Sequence, residues 1–258
     1  MMKKTKTTTI QSLERGLIIL DIIGKAGRPL LLNEIAEHFT IDRSSVFRLI
    51  GTLAKNGFVI QDPETKRYAI GYRVLELSGC LSSQSYIENL MRPIMKRIVA
   101  ATGQNTHLAV LDRTEVVFIA VEQPQDPVTL NITVGTREPA VVTALGKSLL
   151  AFSEPSELNA LLAAAEFIPY TTKSIASAVE LRKDLEAVRA DLVARDDEEY
   201  RPGIICFAAP IFDHRDQACY SIGISGLRDA IRPHANDYQA IVMRAGAEAS
   251  ALMGHAQG

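Results

Sequence analysis

Arg43, Ser44, Ser45, Phe47, Arg48, Thr52 and Lys55 lie in one short segment, RSSVFRLIGTLAK, whose Val46, Leu49, Ile50 and Leu53 recur at helical spacing. With that apolar stripe turned inward, guanidinium, hydroxyl, aromatic and ammonium groups face outward, a set suited to base edges in a DNA major groove and to phosphates. Lys66 and Arg67 follow in a second element. Residues 58–61 and 68–70 alternate around the turn-forming Asp62-Pro63-Glu64-Thr65, which reads as a hairpin wing.

Other reactive side chains are scattered. Cys80, Cys206 and Cys219 have no metal-like spacing, and neither they nor His107 and His214 form close pairs, so no metal or other cofactor is expected. Cys206 is either a small core residue or a pocket residue. As an enzyme nucleophile it would need a neighbouring base or cation, and spacing puts neither His107 nor His214 beside it. Three thiols cannot all pair within one chain, which fits a reduced cytoplasm. The apolar run at residues 17–23 is short and interrupted by Asp21, too little for a signal segment or a membrane span.

The outward-facing set needs a scaffold. Ser12 is expected to cap a first helix whose Leu13, Leu17 and Leu20 complete a small core, with its end near Gly27. Ile35, Ala36 and Phe39 mark a second helix, Thr40-Ile41-Asp42 the tight turn, and Asp42 the cap of the third. Gly57 suits a left-handed terminus. Such a helix pair with a hairpin is either a winged helix-turn-helix or a plain packing unit, and charge favours the former. Residues 1–71 hold 11 Lys and Arg against 7 Asp and Glu, in a chain whose net charge is −2. Lys3, Lys4 and Lys6 form either a DNA-touching arm or a disordered terminus.

Beyond Gly71, residues 72–81 read as a connecting helix, Ser82-Ser83-Gln84-Ser85 as a polar break, and the following residues as a helix to Gly103 that Pro93 kinks or delays. Strands are expected at 106–111, 116–122, 128–134, 204–212 and 219–225, and helices at 144–151, after Pro155, at 178–194 and at 235–253. Asp196 to Glu199 reads as a solvated acidic loop. Strands, helices and strands without regular alternation predict an α+β chain with an antiparallel sheet able to hold a small molecule against a covering helix. The boundaries are 1–71 for the DNA-binding part, 72–84 for the connection and 85–258 for the second domain. A hairpin looping through residues 214–217 would set Asp213 opposite Ala218 and Cys206 opposite Ser225. Ala144-Leu145-Gly146, opening a helix, could offer N–H groups to a carboxylate.

SLERGLIILDII from Ser12, EIA from Glu34, RSSVFRLIGTL from Arg43, TALGKSLLA from Thr143, DDEE from Asp196 and CFAAPIFD from Cys206 together resemble IclR-type transcriptional regulators over nearly the whole chain. The resemblance implies a winged helix that binds operator DNA, a GAF-like antiparallel sheet with flanking helices that binds a small effector, and a homodimer or dimer of dimers. It implies no enzyme activity and no membrane association. It further implies an effector pocket drawing on Leu130, Ala144, Leu145, Gly146, Asp196, Ile204, Cys206, Gly223 and Ser225, and an effector that is an organic or aromatic acid or a sugar-derived metabolite. The reading is therefore a cytoplasmic, effector-modulated regulator, a repressor, with a GAF-like thiol enzyme using Cys206 as the alternative. Three positions depart from the family pattern. Thr40 stands at a turn position where Gly is usual, Leu31 where a capping Ser or Thr is usual, leaving Asn33 as a later cap, and Gly223 where Ser is frequent.

Overall fold

The computed structural model describes residues 9–79, 82–125 and 132–255. The expected basic arm with Lys3, Lys4 and Lys6, and also Cys80 and Leu130, lie outside the described residues. The chain divides into two units, Met1–Ser82 and Ser83–Gly258.

In the first unit α1 covers Gln11–Ala26, α2 Leu32–Ala36 and α3 Arg43–Lys55, followed by β1 at Val59–Gln61, β2 at Tyr68–Ile70 and α4 at Arg73–Gly79. Ser12 is not the cap of α1. Ile10 holds that place without a side-chain hydrogen bond. Nor do Leu13 and Leu17 complete the core, since they are 61% and 58% exposed. α1 is apolar on more than one face, and the one that packs carries Ile19 and Ile23, against Ile35, Val46, Ile50, Val59 and Tyr68. Gly27 closes the helix at φ 61°.

α2 ends at Ala36, short of Phe39. Its start lacks a capping hydroxyl, yet the other half of a capping box is present, because the Leu31 N–H donates to Glu34 Oε2 at 2.7 Å. Asn33 lies inside the helix rather than capping it. Thr40 does not take a positive φ, so its β-branch meets no penalty in the turn. Asp42 caps α3 as expected, accepting from the Ser45 N–H at 2.9 Å. The wing pairs Val59 with Ile70 and Gln61 with Tyr68, and Leu30 adds a bridge to Tyr68.

α5, Ser82–Thr102, already begins at the residues expected to form a polar break, and Pro93 lies inside it. The second unit continues with β3 (Asn105–Asp112), β4 (Glu115–Glu122), β5 (Arg137–Pro139), α6 (Ala144–Leu150), α7 (Pro155–Ala164), α8 (Ala178–Asp191), β6 (Ala194–Asp197), β7 (Ile204–Phe212), β8 (Ala218–Leu227), α9 (Arg228–Ile231) and α10 (Ala235–Leu252). Six strands form one sheet in the order β5-β4-β3-β8-β7-β6, each neighbour antiparallel. Strand alternation sends Leu108, Ile119, Phe207 and Ile222 into one core with α5 and α10. It sends Ala109, Phe118 and Ala208 into another with α6, α7 and α8.

Four expectations need correction here. Of the strand expected at 128–134, residues 128–131 lie outside the described ones and 132–134 are not extended in a ladder. β4 pairs instead with Arg137–Pro139 after a turn in which the Gly135 N–H donates to the Phe118 carbonyl. α8 stops at Asp191, because Leu192 takes φ 54° and redirects the chain into β6. Asp196 is thus not in a solvated loop but 2% exposed in a strand. At the last hairpin Phe212, not Asp213, faces Ala218, and an irregularity between Ile211 and Phe212 restores the register so that Cys206 does face Ser225.

Candidate functional site

In the first unit, α3 presents Arg43, Ser44, Phe47, Arg48, Thr52 and Lys55 on its exposed side, with Phe47 55% exposed. Not all of these polar groups are free. The Ser44 and Ser45 hydroxyls both donate to the Asp42 carboxylate, the latter at 2.8 Å, and these bonds hold Asp42 well below the usual carboxylate range. Arg48 Nη2 donates to Ser45 Oγ at 3.1 Å, and Thr52 Oγ1 to the Arg48 carbonyl. Lys66 stands exposed on the wing at φ 57°. Arg67 instead turns inward, with Nη1 3.2 Å from the Pro29 carbonyl oxygen and 3.3 Å from Glu34 Oε2, and so fastens the wing to α2.

In the second unit a cavity with about 30 Å³ of free volume opens between the sheet and the start of α6. Ala144, Leu145, Asp196, Ile204, Cys206 and Ser225, all expected there, line it. β6, β7 and β8 run side by side, so Asp196 is opposite Cys206 and Cys206 opposite Ser225. Thr143 caps α6 through the Gly146 N–H at 3.3 Å. The N–H groups of Ala144 and Leu145 are then the first-turn donors without an intrahelical acceptor.

Gly146 and Gly223 do not line the cavity. A Cβ at Gly146 would collide with the Ala140 backbone, and one at Gly223 would lie 2.6 Å from the Phe207 carbonyl oxygen. Both glycines permit close packing rather than ligand contact. Sequence reasoning overlooked His107, Phe118, Glu138, Thr143, Tyr200 and Arg201 at the same cavity. His107 Nε2 lies 2.7 Å from Ser225 Oγ, and Arg201 Nη2 donates to Glu138 Oε1 at 3.0 Å.

Burial dominates the electrostatics. It pushes Asp196 up to about 6, against the opposing pull of the Glu199 N–H and Lys147. It raises Glu138 as well, with Arg201 acting the other way. His107 is driven down to about 3 and stays neutral. Cys206 is pushed well above the ordinary thiol value by burial and then by the Asp196 charge. A protonated thiol beside a carboxylate is a poor nucleophile, so the arrangement can bind but is unsuited to thiol catalysis. No group of three or more His, Cys, Asp or Glu able to hold a metal ion occurs among the described residues. No helix among them is long and apolar enough to cross a membrane.

Residues 12–63 match the IclR helix-turn-helix domain, and residues 80–251 match the family described as Bacterial transcriptional regulator IclR C-terminal. The chain is 30% identical over 222 residues to the HTH-type transcriptional regulator XynR of Escherichia coli K12, covering 86% of this chain and 88% of that protein. It is 28% identical over 251 residues to the Transcriptional repressor IclR of the same organism, covering 96% and 92%. The crystal structure of the Thermotoga maritima IclR superposes with a TM-score of 0.77 at 29% identity, covering 96% of this chain and 100% of that one. These relatives are regulators and not enzymes. With the winged helix and its exposed α3 in the first unit and the helix-flanked antiparallel sheet in the second, the chain belongs to the IclR family of DNA-binding transcriptional regulators.

Proposed function

We propose that this regulator is a repressor whose operator affinity is set by a small organic or aromatic acid bound in the cavity of the second unit. The observation that carries the effector half is the convergence of Ala144, Leu145, Asp196, Cys206, Ser225 and Arg201 on one cavity between sheet and helix. First-turn N–H groups and a guanidinium favour a carboxylate. On the DNA side, Arg43, Phe47, Arg48, Thr52 and Lys55 on α3 read the major groove, with Ser44 and Ser45 acting mainly through the Asp42 cap. Lys66 on the wing meets phosphate, and Arg67 positions the wing.

The working form is a homodimer or a dimer of dimers on a pseudo-palindromic operator. Leu13 and Leu17 on α1, Tyr72 just before α4 and Leu75 on it are large apolar side chains left exposed within the described residues, and such surface is what a second copy would cover. A cytoplasmic location and independence of metal and cofactor fit this reading.

Calorimetric titration of the full chain with a panel of organic and aromatic acids, followed by operator titration with and without the acids that bind, tests the proposal. At least one acid is expected to bind and to change operator affinity, and Arg201→Ala, which removes the cavity's guanidinium, to abolish that change while the free protein still binds DNA. Operator affinity indifferent to every bound acid would overturn the effector half.

A further inference from the structure

We infer that His107 contacts the effector through its imidazole Nδ1, making one hydrogen bond to an uncharged oxygen, and so selects acids that carry a hydroxyl or carbonyl oxygen in addition to their carboxylate. This rests on the cavity being the effector site.

His107 sits in β3 opposite Gly223 of β8, is 2% exposed and is one of the residues that line the cavity. The ring is held from two sides. Nε2 meets Ser225 Oγ at 2.7 Å, and the Phe118 ring packs edge-to-face with centroids 5.1 Å apart. The one remaining polar atom, Nδ1, has no hydrogen-bond partner among the described residues. A buried polar atom left unpaired is destabilising, and on a residue that lines a binding cavity it can gain a partner when a ligand enters.

Charge decides the kind of partner. Burial keeps the imidazole neutral, so it offers a carboxylate no ionic attraction, and Asp196 on the same cavity opposes an anion there. The cavity's cation is Arg201, whose side chain is half exposed, whereas His107 and Asp196 are buried. The carboxylate of an acid therefore belongs toward Arg201, and an uncharged oxygen toward His107. A hydroxyl suits either imidazole tautomer because it both donates and accepts, while a carbonyl requires the proton on Nδ1.

The test is calorimetric titration of the full chain with matched acids: 4-hydroxybenzoate against benzoate, and 2-hydroxypropanoate and 2-oxopropanoate against propanoate. For the wild type, the oxygen-bearing member of at least one set is expected to bind about tenfold or more tightly. His107→Gln places its amide where Nε2 stood, keeping the Ser225 bond and losing Nδ1, and is expected to remove that gap. His107→Asn places its amide near Nδ1 and is expected to keep part of it. In parallel, the His107 Nδ1 nitrogen-15 resonance of the wild type should shift with the tighter member and not with its oxygen-free analogue, a readout that needs no variant to fold. An undiminished gap in His107→Gln, or an Nδ1 resonance blind to both members, would overturn the role of His107 and leave the acid pocket standing. Absence of binding by every acid would overturn the pocket reading, and this inference with it.

Discussion

Lys147 and Glu199 are joined by two hydrogen bonds, from one ammonium to both carboxylate oxygens at 2.7 and 2.9 Å, with the Lys147 side chain wholly buried. Asp184 of α8 lies 3.1 Å from the same ammonium. Lys147 stands in α6, whose first turn borders the cavity, and Glu199 precedes Tyr200 and Arg201 in the loop that lines it. The pair thereby fastens the loop to the helix. Thr171 and Ser174 add to the fastening by donating to the Glu199 carbonyl, Ser174 at 2.6 Å.

Removing the cation leaves two carboxylates facing a site that burial has already pushed Glu199 up to about 7 to accommodate. Lys147→Met is expected to lower unfolding stability by about 3 kcal/mol, within the range for breaking a buried pair from one side. Urea denaturation followed by circular dichroism measures it. A midpoint equal to wild type would show that the pair contributes nothing net.

On the proposed acid reading, Asp196 is expected to make effector binding depend on pH. Its carboxyl is raised from 3.8 to about 6, so it is mostly protonated at pH 5 and ionised at pH 7.5. An anionic effector meets repulsion only from the ionised form, so affinity is expected to fall as pH rises through about 6, by up to about tenfold per pH unit. Asp196→Asn, uncharged throughout, should flatten the profile. Affinity that rises with pH across this window would reverse the assignment.

Arg48 and Lys66 are expected to fail differently. Arg48→Ala should weaken specific binding by about 1 to 3 kcal/mol and relax sequence preference if the guanidinium reads a base. Lys66→Ala should weaken all sequences alike and reduce the salt dependence by about one ion. Titrations on native and altered fragments at several salt concentrations separate the two, and identical profiles would mean that both residues meet phosphate.

Gly146 tolerates no side chain, because a Cβ would overlap the Ala140 carbonyl and Cα. Gly146→Ala should cost about 1 to 3 kcal/mol by displacing the start of α6 from the loop before it. It should also weaken acid binding through the shifted Ala144 and Leu145. Thermal denaturation with and without acid would show both, and a melting temperature within error of wild type would remove the packing role.

The DNA-binding half was largely legible because its signals are local: Asp42 caps α3, Gly57 takes φ 75°, and Val46 and Ile50 repeat one turn apart. The buried side of α1 was not legible. Leu13, Leu17, Ile19 and Ile23 leave several apolar faces, and only packing selects Ile19 and Ile23. β6 was illegible for another reason, since Ala194-Arg195-Asp196-Asp197 has little intrinsic strand preference and becomes a strand by pairing with β7. His107 escaped notice at the pocket because Ser225, its partner, is 118 residues distant and arrives only through the pairing of β3 with β8. The bond between Lys147 and Glu199 spans 52 residues and carries no sequence spacing that would announce it.

The most direct measurement is an anisotropy titration of the full chain onto a labelled fragment from upstream of its own gene, against scrambled DNA, at two salt concentrations. The exposed face of α3 and the wing predict saturable, tighter binding to the native fragment, weakening as salt rises. Equal affinity for both sequences at both salt concentrations would contradict sequence recognition by α3 at that fragment, and absence of binding even at low salt would contradict a DNA-binding role for this face altogether.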